Sequence, residues 1–435
     1  MENTKLDSFP PKGIHGTLII PGDKSISHRA LMIGAISEGK TRINHFLWSE
    51  DCKTTMNVLQ QLGVFFEKND SELIVHGVGF EGLKNPVKPL EMGNSGTTTR
   101  LLMGLLGGTN FSSILKGDSS LSKRPMDRVA KPLSKMGIKI EVTKEGTLPA
   151  VVKGGKVKGT TINLQIASAQ VKSAVIFAAL QANTETTIVE KLPTRNHTEL
   201  MLQQFGAKIV TEKNQKTIHV EPTSKLSGQV VNIPGDISSA AFFIVAATII
   251  PNSKITLRDV SLNPTRTGIL NILKKMNADI KVRYKENQGE SYGDIEVKSS
   301  KLNAIEVKEE DIPSLIDELP LVALLAACAK GTSVIKGAAE LRVKETDRIA
   351  TVTEELSKLG VDIKELSDGM IIKGMREWEI KNNQLNSHGD HRIGMMLAIA
   401  ALRTTNNLYL KNANAIAISY PSFFSDLKTV LNEKV

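Results

Sequence analysis

One arrangement of apolar and polar positions recurs along the chain: an amphipathic stretch, a Gly or Asn, then a short alternating run. It reads MNVLQQLGVFFE at 56–67, KPLSKMGIKIEV at 131–142 and MLQQFGAKIVTE at 201–212. It returns as ILKKMNADIKV at 272–282 and EELSKLGVDIKE at 354–365. The pattern predicts an amphipathic helix, a left-handed residue just past its C-terminal end, and a strand. The pivots Gly63, Gly137, Gly206, Asn277 and Gly360 are 74, 69, 71 and 83 residues apart.

A second element interleaves with the first. Small-residue segments that are apolar nearly all round begin near Ser25, Ser95, Ser168, Asp236, Asp317 and Asp390, each followed by a turn and a strand. A helix of that kind in a chain of ordinary composition is buried inside its domain, with sheet around it. Six copies in 435 residues make units of about 72 residues, in keeping with the pivot spacing. Ile-Pro-Gly-Asp occurs at 20–23 and again at 233–236, a separation of 213 residues or three times 71. The repeat therefore divides three plus three. One domain is expected at 21–234 and a similar one at 1–20 together with 235–435, with the crossovers near 20–23 and 233–236 forming a hinge. The fold class is α/β (α+β), each domain being three β/α units with buried parallel helices surrounded by sheet.

Composition narrows the function. A formal net charge of +9 points to anions, but aromatic residues are only 4% of the chain, too thin for base stacking, so small anionic ligands are expected and nucleic acid is not. Two distant cysteines, Cys52 and Cys328, cannot build a disulfide framework or a thiolate metal site and fit a reducing cytosol. The first residues lack the apolar core of a signal peptide, and the longest apolar stretches, 240–250 and 319–329, are shorter than the roughly 18 residues of a membrane span. A cytoplasmic protein with no membrane partner is expected.

The starts of the apolar segments carry the candidate chemistry. They read Lys24-Ser25-Ile26-Ser27-His28-Arg29, Asn94-Ser95-Gly96-Thr97-Thr98-Thr99-Arg100 and Ser168-Ala169-Gln170-Val171-Lys172-Ser173. In the second half they read Asp236-Ile237-Ser238-Ser239, Asp317-Glu318-Leu319-Pro320 and Gly389-Asp390-His391-Arg392. Plain capping accounts for Ser95 or Asp236 taken alone. It does not account for Lys24, Arg29, Arg100 and Arg392, because cations at a helix N-terminus oppose the macrodipole unless an anion lies between them. Arg124 beside Pro125, Arg195 in Thr194-Arg195-Asn196-His197, and the run Arg342 to Arg348 add further cations. That run reads either as a solvated ion-paired face or, with Lys344, Glu345 and Arg348 at i, i+3 and i+4 spacings, as one shared helix face. No P-loop, Gly-x-Gly-x-x-Gly fingerprint or Gly-x-Ser-x-Gly elbow occurs. His388 and His391 have no third ligand group beside them, so a structural or substrate contact is expected there and no metal. Cys328 reads as core, and Cys52 as a weak nucleophile at best.

The segments Lys24–Arg29, Gly93–Arg100, Lys123–Met126 and Arg342–Arg348, in this order and continuing to Ser419-Tyr420-Pro421, resemble the EPSP synthase family in its second bacterial branch. The resemblance implies the inside-out barrel of the enolpyruvyl transferases and transfer of enolpyruvyl from phosphoenolpyruvate to the 5-hydroxyl of shikimate 3-phosphate. It implies no cofactor and no metal, and a monomer is expected. Ser25, Arg29, Ser168, Gln170, Arg195 and Lys344 would hold phosphoshikimate, with Lys24 and Asp317 beside it. Lys24, Gly96, Arg124, Gln170, Arg348 and Arg392 would hold phosphoenolpyruvate. Asp317 would be the hydroxyl-side base, Glu345 the proton shuttle at the methylene and Lys24 an electrostatic partner; the two acids are interchangeable on sequence alone. Ala169 stands where many members have a second serine, and Leu101 where one branch has proline. The related UDP-N-acetylglucosamine enolpyruvyl transferases share the repeat, but their early Lys-Asn pair and loop cysteine are missing here.

Overall fold

The five amphipathic stretches fold as helices with one common ending. The computed structural model describes residues 3–69, 72–285 and 289–432. In it, helices Glu50–Gln61, Asp127–Lys135, His197–Gln204, Gly268–Lys275 and Arg348–Lys358 each stop two residues before a pivot. The pivots Gly63, Gly137, Gly206, Asn277 and Gly360 have φ of 92°, 87°, 100°, 70° and 89°. At Gly63 the N–H donates to the Gln60 carbonyl at 2.9 Å and the next N–H donates to Leu59 at 3.0 Å, and the other four pivots repeat the pattern. This is the Schellman motif, which satisfies two orphan carbonyls and turns the chain into the following strand.

The six small-residue segments form α1 (Lys24–Ala35), α2 (Gly96–Leu105), α3 (Ala169–Ala179), α4 (Ile237–Ile249), α5 (Leu319–Cys328) and α6 (His391–Ala401). All residues of α4 and α6 are buried, as are Ile26 to Ala35 of α1 and Val171 to Ala179 of α3. Small side chains let such helices approach closely: a Cβ on Gly104 of α2 would stand 1.9 Å from the Ala174 carbonyl oxygen of α3. Cys328, expected in the core, is half-buried at the end of α5, where burial raises its thiol pKa to about 11.

The chain divides into two compact units, Gly22–Ile233 and Met1–Pro21 with Pro234–Val435. Within Gly22–Ile233, α1, α2 and α3 share one core with three four-stranded sheets. Each sheet has one plan, a parallel pair extended by two antiparallel strands; Val230–Asn232, Glu38–Asn44, Glu72–Val78 and Phe65–Lys68 lie in that order. The other unit repeats the plan around α4, α5 and α6, with one departure. Its last sheet has three strands among the described residues: Gln384–Asn386 pairs parallel with Tyr409–Lys411, and Thr4–Lys5 from the N-terminus completes it. That substitution explains why only five pivots are found for six apolar helices.

Candidate active site

Both Ile-Pro-Gly-Asp segments end as helix caps. Asp23 Oδ1 accepts from Ile26 N at 2.9 Å, and Asp236 Oδ1 accepts from Ser238 N at 2.7 Å. Ser95, Ser168 and Asp390 cap α2, α3 and α6 in the same way. The capping expectation therefore holds, and the cations stand on top of it.

In Gly22–Ile233 the ends of α1, α2 and α3 are stitched together. Arg29 of α1, 3% exposed, donates from Nε to Thr198 Oγ1 at 2.7 Å and from Nη2 to Ser173 Oγ of α3 at 2.8 Å. Its Nη1 donates to the Ser25 carbonyl at 2.9 Å. Arg100 Nη1 of α2 donates to Gln170 Oε1 of α3 at 2.5 Å, and Gln170 Nε2 donates to Thr97 Oγ1 at 3.0 Å. The Arg124 guanidinium lies beside Asn94, with Nη2 at 2.6 Å from Asn94 Oδ1. A Cβ on Gly96 would be 3.4 Å from Arg124 Nη1 and 3.5 Å from Arg100 Nη1. Two guanidiniums thus flank the first residue of a buried helix, where the positive end of the helix dipole already favours an anion. Lys24 Nζ sits 3.1 Å from Asp51 Oδ2, a partner the sequence did not suggest. Ser168 and Gln170 occupy the start of α3, and half-buried Arg195 lies just ahead of helix His197–Gln204.

A chain of hydroxyls ties α1 to α2. His28 Nδ1 meets Thr55 Oγ1 at 2.7 Å, Thr55 meets Thr98 Oγ1 at 2.6 Å, and Thr98 meets Ser95 Oγ at 2.6 Å. Burial, followed by the charges of Lys24 and Arg29, holds the pKa of His28 well below its usual 6.5. The folded protein keeps this ring neutral while the unfolded chain protonates it near pH 6.5. Between the folded and unfolded pKa values the unfolded state binds more protons, so stability falls as pH drops through that window. The urea midpoint is therefore expected to decline from pH 7.5 to 5.5, and His28→Gln is expected to flatten the decline; parallel slopes would refute the assignment.

The other unit gathers the acids. Arg348, 1% exposed, is the first residue of helix Arg348–Lys358. Its Nε lies 2.7 Å from Asp390 Oδ2, its Nη2 2.6 Å from Glu345 Oε2, and its Nη1 3.7 Å from Asp317 Oδ1. Arg392 Nη2 approaches the second Asp317 oxygen at 3.5 Å. Burial opposes the charge on Arg348, but Asp390 and Glu345 overcome it and raise its pKa above the ordinary value. Asp317 and Glu345 are thus brought onto one buried guanidinium, with Arg392 on the far side of Asp317.

Three expectations need correction. Lys344 and Glu345 do not share a helix face with Arg348: both lie in the loop before it, because Asp347 caps the helix by accepting from Ala350 N at 3.1 Å. Arg342 keeps the solvated reading, pairing with Asp347 and Glu365 at 2.7 and 2.8 Å. His388 does have acidic company, since Glu354 and Glu355 bring ligand atoms within 4.8 Å of it and of one another. Lys358 Nζ lies 2.9 and 2.6 Å from those two carboxylates and takes the place a cation would have. Cys52 is buried and its thiol is pushed up to about 12 by desolvation, which removes it as a nucleophile.

A family model described as EPSP synthase (3-phosphoshikimate 1-carboxyvinyltransferase) matches residues 9–427. The chain is similar to the 3-phosphoshikimate 1-carboxyvinyltransferase of Limosilactobacillus fermentum, 55% identical over 416 residues and 96% of each chain. It is 54% identical over 435 residues to that of Oenococcus oeni, covering 99% of each. Among solved structures, EPSP synthase from Acinetobacter baumannii superposes with a TM-score of 0.85 at 42% identity, over 99% of this chain and 98% of that one. The enolpyruvyl transferase NikO from Streptomyces tendae shares the fold at a TM-score of 0.78 and 15% identity, over 98% and 97% of the two chains.

Proposed function

The chain belongs to the EPSP synthase family, and from that membership we infer that it is a transferase moving the enolpyruvyl group of phosphoenolpyruvate to the 5-hydroxyl of shikimate 3-phosphate. The products are 5-enolpyruvylshikimate 3-phosphate and inorganic phosphate, a step of the shikimate pathway. The names of the relatives favour this acceptor over a UDP-N-acetylglucosamine acceptor. Among the described residues no helix is long and apolar enough to cross a membrane.

The reaction is an addition followed by an elimination. A proton goes to the methylene carbon of phosphoenolpyruvate, the sugar-ring hydroxyl attacks the adjacent carbon, and the adduct then loses a methyl proton and phosphate. Two phosphorylated substrates must lie side by side, and in a dry site their repulsion is large. Lys24, Arg124, Arg348 and Arg392 offset it on the phosphoenolpyruvate side, where Gly96 and Gln170 also contribute. Ser25, Arg29, Ser168, Gln170, Arg195 and Lys344 hold phosphoshikimate. Asp317 takes the hydroxyl proton, and Glu345 delivers and removes the methylene proton. What carries this reading is the shared guanidinium of Arg348, whose nitrogens lie 2.6 Å from Glu345 and 3.7 Å from Asp317 and so hold the two proposed acid/base groups beside one cation. The active species is a monomer in the cytoplasm.

Phosphate release with phosphoenolpyruvate and either acceptor tests the assignment. Turnover is expected with shikimate 3-phosphate and none with UDP-N-acetylglucosamine; release with the nucleotide sugar alone would overturn it.

A further inference from the structure

Within the apolar helix α3 stands one lysine, Lys172, with a side chain only 2% exposed. Its Nζ lies 3.0 Å from Glu190 Oε2, 2.8 Å from Glu199 Oε1 and 3.1 Å from the Thr194 carbonyl oxygen. The three protons of the ammonium therefore have three acceptors. Glu190 Oε1 in turn accepts from the Thr194 hydroxyl at 2.5 Å. Both glutamate side chains are buried, at 2% and 4% exposure.

These acceptors share one stretch of chain. Between the strand Thr186–Val189 and the helix His197–Gln204 no regular structure intervenes. Lys172 grips this connection at its first residue, just before Arg195, and again in the first turn of the helix beyond. The same lysine donates its backbone N–H to the Ser168 carbonyl at 3.0 Å, one turn from Ser168 and Gln170. The neighbouring Ser173 reaches Thr198 Oγ1 at 2.6 Å, so two consecutive residues of α3 fasten the connection. An ion cluster this deep contributes little net stability compared with a well-packed apolar substitute, so its retention calls for another reason.

We propose that Lys172, with Glu190 and Glu199, is a positioning residue that sets Arg195 against the start of α3 for the 3-phosphate of phosphoshikimate. This rests on the reading above that Arg195 and Ser168 hold that substrate. The ammonium does not touch substrate; it fixes the backbone on either side of the guanidinium that does. It acts on phosphoshikimate affinity and leaves phosphoenolpyruvate affinity and the chemical step alone.

Steady-state kinetics and direct calorimetric binding of shikimate 3-phosphate test this with Lys172→Met, Glu190→Gln, Arg195→Ala and the Lys172→Met/Arg195→Ala pair. Lys172→Met is expected to raise KM and Kd for shikimate 3-phosphate by about tenfold or more, with KM for phosphoenolpyruvate and kcat within about threefold. In the Arg195→Ala background the same change is expected to add almost nothing, since it acts through a group no longer there. A lowered melting temperature with unchanged phosphoshikimate affinity, or an equal loss in both backgrounds, would overturn the proposal. Should Lys172→Met fail to fold, Glu190→Gln carries the same cycle, because it keeps the shape and weakens only the charge. Arg195→Ala with undiminished affinity would overturn the phosphate assignment itself and the proposal with it, an outcome separable from additive losses.

Discussion

Asp317→Asn and Glu345→Gln are each expected to lower kcat by about 10²–10⁴-fold, the usual worth of one positioned acid or base. Both changes keep the size of the side chain and remove its proton-transfer capacity. Shikimate 3-phosphate affinity should change by less than about fivefold, because most of the residues proposed to hold that substrate lie elsewhere, in the unit Gly22–Ile233. Stopped-flow phosphate release and calorimetry separate the two quantities. Either variant retaining a kcat within about tenfold of the parent would remove that residue from the proton-transfer scheme. The two losses should also fall well short of multiplying in the double variant, since residues acting in one reaction cycle are not additive.

Arg348→Met is expected to cost about 3–5 kcal/mol of stability, the range seen when one partner of a buried ion pair is removed. Asp390 is fully buried and its carboxylate faces Arg348 Nε at 2.7 Å, so methionine would leave it without its counter-charge. Arg348 also donates to Glu345 and neighbours Asp317, so activity should vanish in any protein that remains folded. Arg342→Met, six residues earlier, is the internal contrast. That side chain is 27% exposed and its partners Asp347 and Glu365 are 38% and 41% exposed, so its loss should cost no more than about 1 kcal/mol. Urea unfolding of the two variants measures the difference; similar midpoints would mean that the depth of Arg348 contributes nothing.

Much of this architecture was legible because its determinants are local. A left-handed pivot, a capping aspartate and an apolar run are each written in a few adjacent residues, and the six apolar helices and the five endings of the amphipathic helices follow from them. What escaped was long-range. The last sheet borrows Thr4–Lys5 across some four hundred residues, and no periodicity announces that pairing. Glu354 and Glu355 meet His388 only through the packing of a helix on a loop, so local spacing near His388 and His391 was silent. The positions of Lys24, Arg29, Arg100 and Arg392 are suggested by the conflict between a cation and a helix N-terminus. The partners Asp51 and Asn94 are not, because a carboxylate or amide in a polar stretch carries no such conflict. Lys172 offered a signal, a single ammonium in an otherwise apolar helix, but its two glutamates had to be seen in space.

The borrowed strand bears on how the molecule is made. Residues Gly22–Ile233 hold every strand of their own three sheets, so that unit can close while the ribosome is still extending the chain. His15–Ile19 must wait for Lys254–Ser261, and Thr4–Lys5 for Tyr409–Lys411. At about 5–20 residues per second, Thr4–Lys5 stays unpaired for roughly 20–80 s. Its edge is open through that interval, and Lys5 places on it a charge of the kind that discourages premature pairing.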